Sequence, residues 1–197
     1  MAKDIFDVDV VDSLVRRLMR EHGVLNLRDF DVEPYEIRPE YTTENFFFHP
    51  DSYKREIKAT VTHVVNSIEG EGYNLYTLTT PLYEMVLNAF QHGNRRDPSK
   101  QVTISRKVND ASAEIAVIDE GGVIDPELIP FILIHREGRH EEQVMGFYEF
   151  AGRDRPNNEN LGRGIFFTHT YSDNVQYFKS PEGGLVVHLT SLNPEKI

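Results

Sequence analysis

The sequence predicts an α+β domain, a two-layer α/β sandwich with helices on one face of a mixed, mostly antiparallel sheet. Two observations carry this expectation. Stretches with helical apolar spacing and short strand-like runs follow one another in mixed order. The last two strand-like runs are joined by the tight turn Pro181-Glu182-Gly183-Gly184, which makes them hairpin partners. With 197 residues, 39% of them hydrophobic, the chain is long enough to bury one core unaided.

The elements follow in chain order. Val11, Leu14, Val15, Leu18 and Met19 form one helical stripe, with Asp9 as N-cap and Gly23 as terminator. Glu33, Pro34 and Pro39 mark an irregular connector. Phe46, Phe47 and Phe48 predict a buried strand ended by Pro50-Asp51. A helix is expected from Ser52 to about Ile68, then a loop at Gly70 and Gly72, then a second helix opened by Thr80-Pro81. Strands are expected over 102–108 and 114–118, and a long uneven segment runs from Gly121 to Asn160. A short helix near Gly164 and strands over 175–179 and 185–192 close the chain.

The formal charge of −11 sets a field that repels phosphate backbones and anionic lipid, so neither nucleic acid nor membrane is an expected partner. An anionic ligand would need local arginines, glycine-rich backbone or a metal. The absence of cysteine excludes disulfides, zinc thiolates and a thiol nucleophile. The acidic N-terminus lacks a long apolar run, and a soluble, cytoplasmic protein is expected.

Three motifs carry chemistry. In the predicted helix TPLYEMVLNAFQHGN, Leu82, Met85, Val86, Ala89 and Phe90 share the face expected to pack on the sheet. Glu84, Asn88 and His92 recur at intervals of four and form a separate polar stripe. The Asn88 amide oxygen is a hard donor suited to Mg²⁺, and Glu84 suits proton acceptance from an attacking hydroxyl. His92-Gly93 reads as the helix end. The apolar strand A-V-I-D-E-G-G ends in Asp119, an acceptor suited to the exocyclic amine of adenine, and Gly121 permits close approach of a purine. Gly162 and Gly164 precede an apolar helix, where free backbone amides suit phosphate oxygens and Arg163 adds charge. Each motif alone has an ordinary structural explanation: a solvated helix face, a strand-end turn, a loop.

Together, in this order and spacing, they resemble the N, G1 and G2 boxes of the histidine-kinase-like (GHKL) superfamily, shared by histidine kinases, gyrase-type topoisomerases and mismatch-repair ATPases. Within it, N-A-F-Q-H-G at 88–93, F-F-F-H-P-D-S-Y-K-R-E-I-K at 46–58 and Y-S-D-N-V at 171–175 resemble the serine kinases that act as anti-sigma factors. The resemblance covers residues 41–197 and implies a Bergerat-type ATP-binding domain with a lid at about 125–160. Residues 1–40 then form an N-terminal helical extension and connector. It implies Glu84 as general base, Asn88 as magnesium ligand, Asp119 with Gly121 as the adenine reader, and Gly162, Arg163 and Gly164 at the phosphates. ATP and Mg²⁺ are the implied cofactors. A regulatory protein, a sigma factor or an antagonist of the anti-sigma factor, is the implied partner and substrate, and a homodimer is compatible with the resemblance.

Two departures keep alternatives open. Where the family reads D-x-G-x-G, Val123 replaces the second glycine and Gly122 comes one place early. Where it commonly reads G-T-T, this chain has Gly184-Leu185-Val186. A degenerate or nucleotide-free interaction module is therefore a second reading. A third, the catalytic half of a histidine kinase, would require a phosphoacceptor, for which His63 is the candidate.

Overall fold

The computed structural model describes residues 2, 4–7, 25–68, 73, 75–136, 146–156 and 162–193. Five strands, β2 (Thr42–Phe46), β3 (Val102–Val108), β4 (Ser112–Ile118), β6 (Asn174–Lys179) and β7 (Leu185–Leu192), form one sheet. Their order is β2-β3-β4-β7-β6, antiparallel at every join. A two-stranded ribbon pairs β1 (Leu25–Asn26) with β5 (Val123–Ile124). Helices α1 (Tyr53–Asn66), α2 (Leu75–Asn88), α3 (Leu128–Arg136), α4 (Phe147–Phe150) and α5 (Gly164–Thr170) complete the fold. This is the α+β sandwich expected from the sequence.

Strand alternation decides the two faces. In β4, Ala113, Ile115 and Val117 join the main core with Ile57, Val61 and Val64 from α1, Leu82, Met85 and Val86 from α2, and Phe90 from the turn after α2. Ala116 and Ile118 face the other way, into a small cluster with Phe178, Val186 and Tyr35. Tyr35 belongs to the connector, stacks on Phe178 at 5.2 Å and donates its N–H to the Lys179 carbonyl at 2.7 Å. The Tyr41 hydroxyl donates to Glu114 on the same outer face. The connector thus covers part of the sheet surface that the helices leave open.

A second apolar core joins Ile5, Phe6, Leu25, Leu27 and Phe30 to Ile124, Ile129, Ile132, Val175 and Tyr177. Residues 5, 6, 25, 27 and 30 thus share one core with strand β6. The helix expected at 11–19, and Gly70 and Gly72, lie outside the described residues.

Three sequence expectations need correction. The strand before α1 is Thr42–Phe46, not the Phe46–Phe48 run. Its partner β3 begins at Val102, opposite Phe46, so pairing has nowhere to continue. Phe47 is 61% exposed, whereas Phe48 turns inward and packs edge-on against Phe90. The second helix begins at Leu75 rather than at Thr80-Pro81, and Pro81 lies inside it. A proline there removes one helical hydrogen bond; buried Leu78 and Leu82 on either side hold the helix to the core. Finally, the uneven segment after Gly121 contains α3, whose Ile129, Phe131 and Ile132 are buried.

Candidate functional site

Helix α2 presents its apolar face to the sheet, with Leu82, Met85 and Val86 buried, and Ala89 and Phe90 continue that face in the turn after it. The polar stripe lies at the edge of that face. Glu84, Asn88 and His92 all line a cavity of about 430 Å³ between the helices and the sheet, a volume within the range of small-molecule sites. Burial pushes the Glu84 carboxyl above the usual carboxylate range, because desolvation penalises the ionised form. The helix end then widens: the Asn94 N–H bonds the Ala89 carbonyl at 2.7 Å and the Arg96 N–H bonds the Phe90 carbonyl at 2.8 Å. Such π-type turns are frequent at functional sites. Arg95 and Arg96 continue with φ of 56° and 59°, an uncommon conformation for residues with side chains. Buried Asn94 locks the turn to the end of β4, donating to the Gln101 carbonyl and accepting from the Glu120 N–H, each at 2.8 Å.

That lock brings Gly93 against Asp119, where a β-carbon on Gly93 would overlap the carboxylate. Asp119 stands at the end of β4 on the cavity floor, 4% exposed. Its Oδ1 accepts from the Gly121 N–H at 2.8 Å and the Leu185 N–H at 3.0 Å. Among the described residues Oδ2 takes no hydrogen bond, which leaves an acceptor for a ligand. Desolvation, only partly offset by the two backbone donors, pushes the Asp119 pKa up to about 6. Gly121 does not itself line the cavity. It packs behind Asp119, where a β-carbon would sit 2.5 Å from the Gly93 carbonyl oxygen.

The two sequence departures have local explanations. The positive φ that favours glycine falls at Gly122, at 124°, and Val123 begins β5 directly after it. Leu185 lacks a hydroxyl, yet its backbone N–H still reaches the Asp119 carboxylate.

The third motif closes the side opposite the sheet. Gly162 and Gly164 line the cavity. A β-carbon on Gly164 would lie 2.7 Å from Glu84 Oε2 and 3.1 Å from Asn88 Nδ2, so glycine lets α5 rest directly on those two side chains. Arg163 does not line the cavity, and its buried Nε has no hydrogen bond among the described residues. The Gly162 carbonyl accepts from the Phe147 N–H at 2.8 Å, tying α4 to this loop. Across the mouth, Arg153 makes a forked ion pair with Asp125.

The structure therefore gathers Glu84, Asn88, Asp119, Gly162 and Gly164 around one cavity, with Gly121 and Arg163 just outside it. It also adds residues that sequence spacing did not reveal. Tyr177, Val117, Val187 and Leu185 form the floor, Phe6, Ile132 and Ile165 the apolar end, and Arg95 and Arg153 supply cations. Strand alternation would have found Val117 and Val187, but nothing local marks Phe6. His63 lies elsewhere, bonded through Nε2 to Glu44 at 2.9 Å on the surface between α1 and β2.

A family model described as the histidine kinase-like ATPase domain matches residues 49–190, most of the chain and all the motifs above. The chain belongs to this family. A solved structure similar to it is the catalytic domain of the histidine kinase ThkA in a nucleotide-free form. That neighbour shows 11% identity and a TM-score of 0.42, and the match covers 77% of this chain and 97% of that one. No curated protein matches the sequence.

The chain is thus a GHKL-type, ATP-binding kinase-like domain by family, and the residues present fit a nucleotide. Asp119, whose Oδ2 takes no hydrogen bond among the described residues, lines the cavity together with apolar Val117, Leu185 and Val187. The Gly164 cradle leaves Glu84 and Asn88 open to the cavity. Among the described residues no three His, Asp or Glu side chains converge to hold a metal, so a cation here would draw most ligands from elsewhere. No described helix is long and apolar enough to cross a membrane.

Proposed function

We propose that the protein is an ATP- and Mg²⁺-dependent serine/threonine protein kinase of the anti-sigma-factor type, which binds and phosphorylates a regulatory protein partner. The observation that carries the reading is the convergence of Glu84, Asn88 and Asp119 on one cavity of a histidine kinase-like ATPase domain. Asp119 accepts from the exocyclic amine of adenine and repels the carbonyl that guanine carries at that place. Asn88 would hold a magnesium ion through its amide oxygen, a hard donor suited to that cation, with the nucleotide phosphates as further oxygen donors. When bound, Mg-ATP supplies the phosphoryl group. Glu84 accepts the proton of the attacking hydroxyl, a role that its raised pKa suits. Transfer then depends on positioning and charge neutralisation rather than covalent chemistry on the enzyme.

Serine or threonine rather than histidine as acceptor is supported by the motif likeness to anti-sigma-factor kinases and by His63, which is engaged with Glu44 away from the cavity. A cytoplasmic sigma factor or its antagonist regulator is the partner this reading names, and a homodimer is the assembly it allows. The test is calorimetric titration with ATP, ADP and GTP in magnesium, then transfer of labelled phosphate to a candidate partner. Tight ATP and ADP binding, weak GTP binding and an acid-stable label support the reading. Absence of any nucleotide binding overturns it and favours a nucleotide-free interaction module; an acid-labile label favours a histidine kinase.

A further inference from the structure

The family match begins at residue 49, yet Phe6 of the N-terminal arm lines the cavity, and residues 25–27 of the same arm hold the β5 segment whose Val123 and Ile124 line it. The first contact lies over β6. The Ile5 N–H donates to the Tyr177 carbonyl at 2.8 Å, and the Tyr177 N–H donates to Asp4 Oδ2 at 3.0 Å. The Phe6 ring meets the Tyr177 ring edge-on at 5.1 Å, and both line the cavity. Arg136, the last residue of α3, fixes this arrangement. It forms an ion pair with Asp4, donates to the Phe6 carbonyl at 3.2 Å and lies over the Tyr177 ring at 5.4 Å. The same helix turns Leu128 and Ile132 into the cavity.

The second contact lies beside Asp119. Leu25 and Asn26 pair with Ile124 and Val123, and the Leu27 N–H donates to the Gly122 carbonyl at 2.8 Å. Val123 and Ile124 also line the cavity. Val123, the residue that departs from the family glycine, pairs with Asn26 of the arm. A glycine would offer the ribbon no side chain and less strand propensity.

We propose that the N-terminal arm is a wall of the nucleotide cavity, so that docking of the arm and binding of a nucleotide stabilise each other. Phe6 seals the apolar end against water, while Asp4 and the Leu25–Asn26 strand hold α3 and β5 at the cavity edge. Arm docking and ligand binding draw on the same contacts, and linkage requires any coupling to act equally in both directions. A partner that captured the arm would then lower nucleotide affinity without touching Glu84, Asn88 or Asp119.

This inference rests on the nucleotide reading, and the experiment separates the two. Full-length protein is titrated calorimetrically with Mg-ADP, and amide hydrogen exchange is followed at residues 4–7 and 25–30 with and without that ligand. Wild type binds, and Mg-ADP slows exchange at Ile5 and Leu27. Phe6→Ala weakens affinity about fivefold, equivalent to about 1 kcal/mol, and Phe6→Leu, which keeps an apolar wall, stays within about twofold. Asp4→Asn speeds exchange at Ile5 and weakens affinity in the same sense; it carries the test if Phe6→Ala does not fold. Wild type that binds Mg-ADP with unchanged arm exchange, together with Asp4→Asn of undiminished affinity, overturns the inference alone. Wild type that binds no nucleotide overturns the functional reading, and the inference with it.

Discussion

Gly184 lies so close to Asp119 that a β-carbon added to it would overlap the Asp119 carbonyl oxygen and come within 3.0 Å of Oδ1. The two residues sit side by side at the ends of β7 and β4, where the Asp119 N–H donates to the Leu185 carbonyl at 3.0 Å and the Leu185 N–H returns a bond to Oδ1. The cavity floor is thus held by a contact only glycine permits. Gly184→Ala should push the strand ends apart and cost about 3 kcal/mol or more, beyond the usual overpacking cost. Gly152 is a useful control: its φ is 61°, but a β-carbon there meets nothing within 4 Å. Its alanine variant should cost about 1 kcal/mol, from backbone strain alone. Urea denaturation of the two variants checks the contrast.

Asp119 should make the ligand-free protein less stable near neutral pH than at mildly acid pH. Its folded pKa of about 6 stands above the ordinary 3.8, so the fold favours the protonated form. Its contribution is therefore most favourable below pH 3.8, is lost as pH rises through about 6, and is flat above that. The shift corresponds to about 3 kcal/mol at 1.36 kcal/mol per unit. Asp119→Asn keeps an Oδ1 acceptor for both backbone donors and removes the buried charge. At pH 7.5 it should melt higher than wild type without ligand, with the gain falling to about half by pH 5. It should bind ATP far more weakly, because the carboxamide cannot replace the anionic acceptor on both oxygens. Melting curves across pH, with and without Mg-ATP, test both halves.

The local features were legible because each is a short-range consequence of sequence. Helical spacing put Glu84, Asn88 and His92 on one stripe, and an apolar run ending in Asp119 placed the carboxylate at a strand end. The misreadings arose where partners distant in sequence decide. Phe46–Phe48 is the more apolar run, but β3 offers no partner beyond Val102, so the strand is Thr42–Phe46. Pro81 looks like a helix start, yet burial of Leu78 keeps the helix running through it. Phe6 is held at the cavity by contacts such as that of Asp4 with Arg136, 132 residues away. No local pattern encodes a contact of that separation.

Glu84→Gln should leave nucleotide affinity within a few-fold of wild type and lower phosphoryl transfer by about 10² to 10⁴, the usual range for loss of a general base. The carboxamide keeps the shape against Gly164 but cannot take a proton. Gly164→Ala should disturb the same step by a different route, because its β-carbon would fall 2.7 Å from Glu84 Oε2. The wild-type rate should rise with pH through a midpoint above the ordinary Glu value, since the base must be ionised and desolvation raises its pKa. A pH–rate profile lacking that limb in wild type would remove Glu84 from the role.

Arg153 should matter to the phosphates and little to stability. Its ion pair with Asp125 is open to solvent, and such pairs contribute little to stability. Both residues line the cavity mouth, so a triphosphate entering it competes with Asp125 for the same guanidinium fork. Arg153→Ala should therefore leave the melting temperature of the ligand-free protein nearly unchanged. It should weaken ATP binding by about tenfold while adenosine, which has no phosphate to offer, binds as to wild type. Asp125→Asn frees Arg153 and should tighten ATP binding, most visibly at low ionic strength, where the competition between the two anions is least screened. Calorimetry with ATP and adenosine at two salt concentrations measures all three effects, and equal losses for both ligands in Arg153→Ala would assign the arginine to the shape of the cavity instead.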